Sequence, residues 1–217
     1  MKKLVIFDLD GTLLNTINDL GEACNHVLKE HGYPVHPIPS YNFMVGGGIR
    51  NLLRNAHPDC TPELLEELVK DFHEYYDEHC LENTHPYKGI PELLENLRQR
   101  EIAMAVASNK YQKATEKICR HFFPDIPFVA IEGEIEGRPR KPDPSIIFSV
   151  LLKHPVEKAG VLYIGDSGVD IETAQRAGVE GIGVSWGFRP ISELRKAHAD
   201  YIINTPAEVL DHLEDPF

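Results

Sequence analysis

From Ile90 onward the chain alternates short apolar runs with helical segments, and that alternation leaves few folds open. "PELLENLRQR" has helical spacing, "IAMAVAS" reads as a strand, residues 112–122 read as a helix, and "VLYIG", "GIGVS" and "DYIIN" are later strands separated by helices. Strands that alternate with helices bury both sheet faces, so the pattern predicts an α/β fold with a parallel sheet. The opening "MKKLVIFDLDGTLLNT" supplies one more strand, Leu4 to Phe7. After it the texture changes. "TINDLGEACNHVLKEHG" sets Ile17, Leu20, Cys24, Val27 and Leu28 on one helical stripe, with Thr16 as N-cap and Gly32 as stop. "TPELLEELVKDFHEYYDEHC" repeats the pattern behind Thr61 and Pro62, and its aromatics read as core packing. No convincing strand falls between about Thr16 and His85. The expected organisation is therefore a core from residues 1–15 and 86–217, with an all-helical insertion over 16–85.

Composition narrows the function. The chain has 217 residues, 42% hydrophobic and 26% charged, the make-up of an ordinary globular protein. A formal net charge of -12, with no run of Lys and Arg, argues against a nucleic-acid partner, so an anionic substrate must be held by local cations. The first apolar stretch stops at Phe7, too short for a signal peptide, and no stretch approaches the ~20 apolar residues that span a bilayer. The expected location is the cytoplasm. Cys24, Cys60, Cys80 and Cys119 are scattered without a CxxC, and the histidines form no HExxH-like pair, so reduced thiols are expected rather than a thiolate or histidine metal site.

Ligands of open α/β sheets bind beyond the carboxyl ends of the strands, and four of those ends carry chemistry here. The first strand runs into Asp8-Leu9-Asp10-Gly11-Thr12. Spacing of two can put both carboxylates on one side of extended backbone, and Gly11 permits the turn that aims them together. Two unit charges about 4 Å apart repel by roughly 4 kcal/mol at an effective dielectric near 20, so a cation or a shared proton is the expected companion. "AVASNK" ends in Ser108, Asn109 and Lys110; "RKPDP" supplies Lys141; "VLYIGDSGVD" supplies Asp166, with Asp170 where a helix begins. Each alone has a plain reading as cap, turn or solvated charge. Their order, each after an apolar strand, points to one site.

"DLDGTL", "VASNK", the lysine of "RKPDP" and "GDSGVD" together resemble the four motifs of the haloacid dehalogenase superfamily, and the length and helical insertion resemble its phosphoglycolate phosphatase-like branch. The resemblance covers nearly the whole chain. It implies a Rossmann-like core with a mobile helical cap inserted after the first strand. It also implies a Mg²⁺-dependent phosphatase that acts on a small phosphorylated metabolite, with Asp8 as nucleophile, Asp10 as general acid and base, Ser108 as phosphate ligand and Lys141 as charge neutraliser. Asp8, Asp166 and the Asp10 carbonyl would hold the metal, with Asp170 supporting it. One departure is Asn15, where relatives often carry an acid.

The chemistry suits the set. A carboxylate nearing a phosphate dianion meets repulsion of roughly 8 kcal/mol at 4 Å. Mg²⁺ accepts hard oxygen ligands, Lys141 adds positive charge, and Ser108, with backbone N–H groups around Gly11, Thr12 and Asn109, can hold the phosphate oxygens. Other readings stay open: a sugar phosphomutase, or a phospho-acceptor receiver domain, although receivers are shorter and lack the insertion. The natural substrate and the choice between monomer and homodimer are not legible. In "VGGGIRNLL", three glycines form either a mobile loop that brings Arg50 to a substrate carboxylate or a turn that starts a helix with Arg50 solvated. Arg54 and Lys88 are further cations of the same kind. Trp186 and Phe188 of "SWGFRP" either pack the core rim or guard the site entrance.

Overall fold

The computed structural model describes residues 1–214. Six parallel strands form one sheet in the order β5-β4-β1-β6-β7-β8. They are β1 (Leu4–Phe7), β4 (Ala103–Tyr111), β5 (Phe128–Glu134), β6 (Val161–Gly165), β7 (Glu180–Val184) and β8 (Tyr201–Ile203). Helices α4 (Ile90–Gln99), α5 (Gln112–Phe122), α6 (Ser145–Lys153), α7 (Gly168–Ala177) and α8 (Ile191–Lys196) connect them.

Side chains alternate across each strand, and the core divides accordingly. Val5, Phe7, Met104, Val106, Leu162 and Ile164 pack on one face with α4 and α5; Leu4, Ile6, Ala105, Ala107, Val161 and Tyr163 pack on the other with α6 and α7. Strand β1 is buried throughout and pairs with β4 on one side and β6 on the other. The chain builds outward from β4 to β5, then crosses back to β6. That reversal opens a crevice at the carboxyl end of β1, the usual ligand position in such sheets.

Between β1 and β4 lie α1 (Ile17–Glu30), a 3-10 turn (Ile38–Phe43), α2 (Ile49–Ala56) and α3 (Pro62–His79). The expected apolar stripes are the buried ones: Leu20, Cys24, Val27 and Leu28 of α1 meet Leu65, Leu68, Phe72 and Tyr76 of α3 in one cluster. Thr61 caps α3 by accepting from the Leu64 N–H at 3.3 Å, and Gly32, at φ +76°, ends α1 in the left-handed conformation only glycine adopts freely. Thr16 makes no capping bond; its hydroxyl donates to Asp10 Oδ1 at 2.7 Å. The expected cap is thus turned into the crevice.

Three strands lay outside the sequence reading: β5, and the two-residue β2 (Leu14–Asn15) and β3 (His85–Pro86), which pair antiparallel where the insertion leaves and rejoins the sheet. Buried Asp19 locks that junction, accepting from the N–H groups of Asn83 and Thr84 at 2.8 and 2.9 Å and from the Thr84 hydroxyl at 2.7 Å. Among the described residues no helix is long and apolar enough to cross a membrane.

Candidate active site

Asp8 follows the last residue of β1, its N–H bonded to the Ile164 carbonyl at 2.8 Å. This pairing with β6 fixes where its carboxylate starts. Asp166 follows the end of β6 itself, and Asp170 occupies the first turn of α7. One oxygen from each of Asp8, Asp166 and Asp170 lies within 4.8 Å of the other two, all buried. Lys141 Nζ enters this group, 2.9 Å from Asp8 Oδ1 and 2.7 Å from Asp170 Oδ1, and donates also to the Ala107 carbonyl and the Tyr163 hydroxyl at 3.1 Å each.

The backbone explains why these groups hold still. Asp170 and Ser167 form a reciprocal capping box, with the Ser167 hydroxyl 2.6 Å from Asp170 Oδ2. Asp166 Oδ2 accepts from the Phe188 N–H at 2.7 Å. Gly11, at φ +85°, lies so close to Asp166 that a Cβ there would sit 2.4 Å from Oδ2. At Gly165 a Cβ would come within 2.3 Å of the Asp170 side chain. Both glycines are demanded by the approach of a carboxylate. Asn109 spends its side chain on the neighbourhood of Lys141: Oδ1 accepts from the Lys141 N–H at 2.8 Å, while Nδ2 donates to the carbonyls of Lys141 and Gly46 at 3.2 and 2.9 Å.

Charge is unbalanced in this group. Three carboxylates face one ammonium. Burial pushes the Asp8 carboxyl up to about 7 although Lys141 opposes the rise, and burial together with Asp170 and Asp8 holds the Asp166 carboxyl well above the ordinary carboxylate range. Burial alone would discharge Lys141, but Asp170 and Asp8 keep it protonated.

Asp10 stands apart. Its carboxylate has its own partners in the pocket: Oδ1 accepts from the Thr16 hydroxyl and Oδ2 pairs with Lys110 Nζ at 3.1 Å. Ser108 lines the same pocket and accepts the Lys110 N–H at 3.2 Å. Of the cations weighed from sequence, Arg50 does not reach the site: its guanidinium forms a two-pronged pair with Glu66 on the outer side of α2 and α3. Thr12 is also not a pocket residue. It is fully buried, and its carbonyl accepts from the Trp186 indole N–H at 3.0 Å. Trp186 therefore packs the core rim, while Phe188 lines the pocket.

The glycine loop covers the crevice. The carbonyls of Val45, Gly46 and Gly47 accept from Arg189, Asn109 and Arg140 at 3.1, 2.9 and 3.4 Å, and Gly48 begins α2. Loop and helix start are the same segment. Lys110, Tyr76 and Arg189 also line the pocket; the sequence placed Lys110 at a strand end and Tyr76 on a core stripe but gave none of the three a role in the site. Lys110 had a signal, lying directly after Ser108-Asn109 at a strand end.

Residues 5–184 match the family model for haloacid dehalogenase-like hydrolases. The chain belongs to that family. This hydrolase is 30% identical over 213 residues to a phosphoglycolate phosphatase of Aquifex aeolicus, covering 98% of this chain and 97% of the relative. It is 31% identical to the N-acetylmuramic acid 6-phosphate phosphatase of Pseudomonas aeruginosa, covering 98% and 95%. Among solved structures, a predicted phosphoglycolate phosphatase from Haemophilus somnus superposes with a TM-score of 0.91 at 27% identity, covering 98% of each chain.

Proposed function

We propose that this hydrolase is a Mg²⁺-dependent phosphatase that cleaves a small phosphate monoester through an aspartyl-phosphate on Asp8. The observation that carries the reading is the meeting of Asp8, Lys141, Asp166 and Asp170 at the carboxyl end of β1. The residues fit a hard dication: three buried carboxylates against one ammonium leave two negative charges over, and oxygen donors suit Mg²⁺. Asp8, Asp166 and the Asp10 carbonyl would hold it. Asp170, both of whose oxygens already serve Lys141 and Ser167, supports them. When bound, the ion neutralises phosphate charge that would otherwise repel Asp8.

The protein's own groups account for the rest. Asp8 attacks phosphorus; Lys141 faces the same group with a fixed positive charge; Ser108 and the adjacent backbone N–H groups hold the phosphoryl oxygens. Asp10 gives a proton to the departing oxygen, then takes one from the water that hydrolyses the intermediate. Residues 16–85 act as a cap on the core of 1–15 and 86–217, with the β2–β3 ribbon as its hinge. The names of most of the similar relatives favour a short, phosphoglycolate-like leaving group. The four unpaired cysteine thiols suit a reducing cytoplasm.

Release of inorganic phosphate from a panel of small phosphate esters, with Mg²⁺ and with EDTA, tests the reading. Asp8→Asn should remove turnover while circular dichroism stays native. Substantial phosphate release by that variant would refute it.

A further inference from the structure

Among the described residues that line the crevice, Lys110 is a buried cation that the proposed phosphoryl chemistry does not use. Its side chain is 3% exposed, with Nζ 3.1 Å from Asp10 Oδ2 and 3.0 Å from the Tyr76 hydroxyl, and 4.7 Å from the centre of the Tyr76 ring. Lys110 belongs to β4 and Asp10 to the turn after β1; Tyr76 belongs to α3 of the insertion. The register of α3 at this point is set independently. Asp77, the next residue, accepts from the Tyr111 hydroxyl at 2.6 Å and from Lys113 Nζ at 2.5 Å, and Lys117 Nζ donates to the Asp77 carbonyl. Docking of α3 on β4 and α5 therefore delivers the Tyr76 hydroxyl to Lys110. A buried phenol lacking a partner is costly, as is a buried ammonium, so each holds the other in place.

We infer that Lys110 is a positioning residue for Asp10, and that Tyr76 makes its position depend on docking of the helical insertion. The inference rests on the reading of Asp10 as the general acid. In the first step an Asp8 oxygen forms its bond to phosphorus while the bond from phosphorus to the leaving oxygen breaks. The electron pair stays on that oxygen, which takes the proton of Asp10. Asp10 becomes a carboxylate at that moment, and its direction through the step is held by Lys110 at Oδ2 and the Thr16 hydroxyl at Oδ1. An acid held in line matters only where a proton must be given. With the insertion undocked, Lys110 loses the Tyr76 hydroxyl, and Asp10 loses the fixed partner that aligns it.

The test uses leaving groups of nearly equal size and falling basicity: ethyl, 2-fluoroethyl and 2,2,2-trifluoroethyl phosphate. The quantity read is kcat/KM with saturating Mg²⁺, which reports steps up to departure of the alcohol. Lys110→Met should lower kcat/KM for ethyl phosphate about 100-fold and for the trifluoroethyl ester only a few-fold, within the range that general acid catalysis spans. Tyr76→Phe, which keeps the ring, should show the same trend at about tenfold. Asp10→Asn is the reference and should show the steepest dependence. Equal losses on all three esters in Lys110→Met, with Asp10→Asn still discriminating, would overturn the role of Lys110. Wild-type behaviour of Tyr76→Phe would overturn the link to the insertion. If Asp10→Asn itself treats the esters alike, the general-acid reading fails and the inference with it.

Discussion

Removing divalent cations should turn Asp8 into a destabilising group whose effect grows with pH. Burial raises its carboxyl from 3.8 to about 7 in the folded chain. A raised acid leaves the native state holding a proton that the unfolded state has already released, so its contribution to stability falls as pH rises from near 4 and levels off above about 7. The difference of about three pKa units corresponds to about 4 kcal/mol at 1.36 kcal/mol per unit. Other carboxylates in the chain titrate in the opposite sense; Asp143 and Glu132, held low by their partners, are examples. The comparison must therefore be with Asp8→Asn, which lacks this titration and relieves Asp166 of one like charge. In EDTA, the stability advantage of Asp8→Asn over wild type should widen by about 4 kcal/mol between pH 4 and pH 8. For a chain of this length that is on the order of 10 °C in Tm. Saturating Mg²⁺ at pH 8 should raise the wild type more than the variant and close much of the gap, because the ion binds the deprotonated cluster. Thermal melts at a series of pH values read all of this. A gap that stays flat or narrows with pH in EDTA would refute the claim that charge imbalance at Asp8 creates the demand for a cation.

Three further substitutions probe neighbouring steps. Lys141→Met strips the buried carboxylates of their ammonium and should cost about 3–5 kcal/mol in EDTA, read by urea unfolding, with activity lost as well. Gly11→Ala should abolish phosphatase activity and weaken Mg²⁺ binding measured by calorimetry, because its Cβ would lie 2.4 Å from Asp166 Oδ2 on backbone at φ +85°. Arg50→Ala should leave KM unchanged for every small phosphate ester, since its guanidinium is committed to Glu66 outside the pocket; a raised KM would place it in the site after all.

What the sequence announced and what it concealed have different physical causes. Asp8, Ser108, Asp166 and Asp170 were legible because each stands at or near the polar end of an apolar run, and a parallel sheet gathers such ends on one edge; Lys141, well beyond the end of β5, was legible only through the "RKPDP" motif. Strand β5 was not, because "FVAIEGE" carries Glu132, which is buried only by pairing with Arg138 and Lys153 from elsewhere in the chain. Arg50 could have been excluded by phase alone. Ile49, Leu52, Leu53 and Ala56 form the buried stripe of α2 at helical spacing, and position 50 falls beside that stripe rather than within it. Tyr76 shows the opposite limit. Its place on the buried face of α3 was read correctly, yet a buried phenol also needs a hydrogen-bond partner, and that partner, Lys110, lies 34 residues along the chain on a different element. Periodicity tells which side of a helix meets the rest of the protein; it carries no information about which polar atom waits there. The polar ends of the strands are thus written locally, whereas the contacts that join the insertion to Asp10 exist only once α3 has docked.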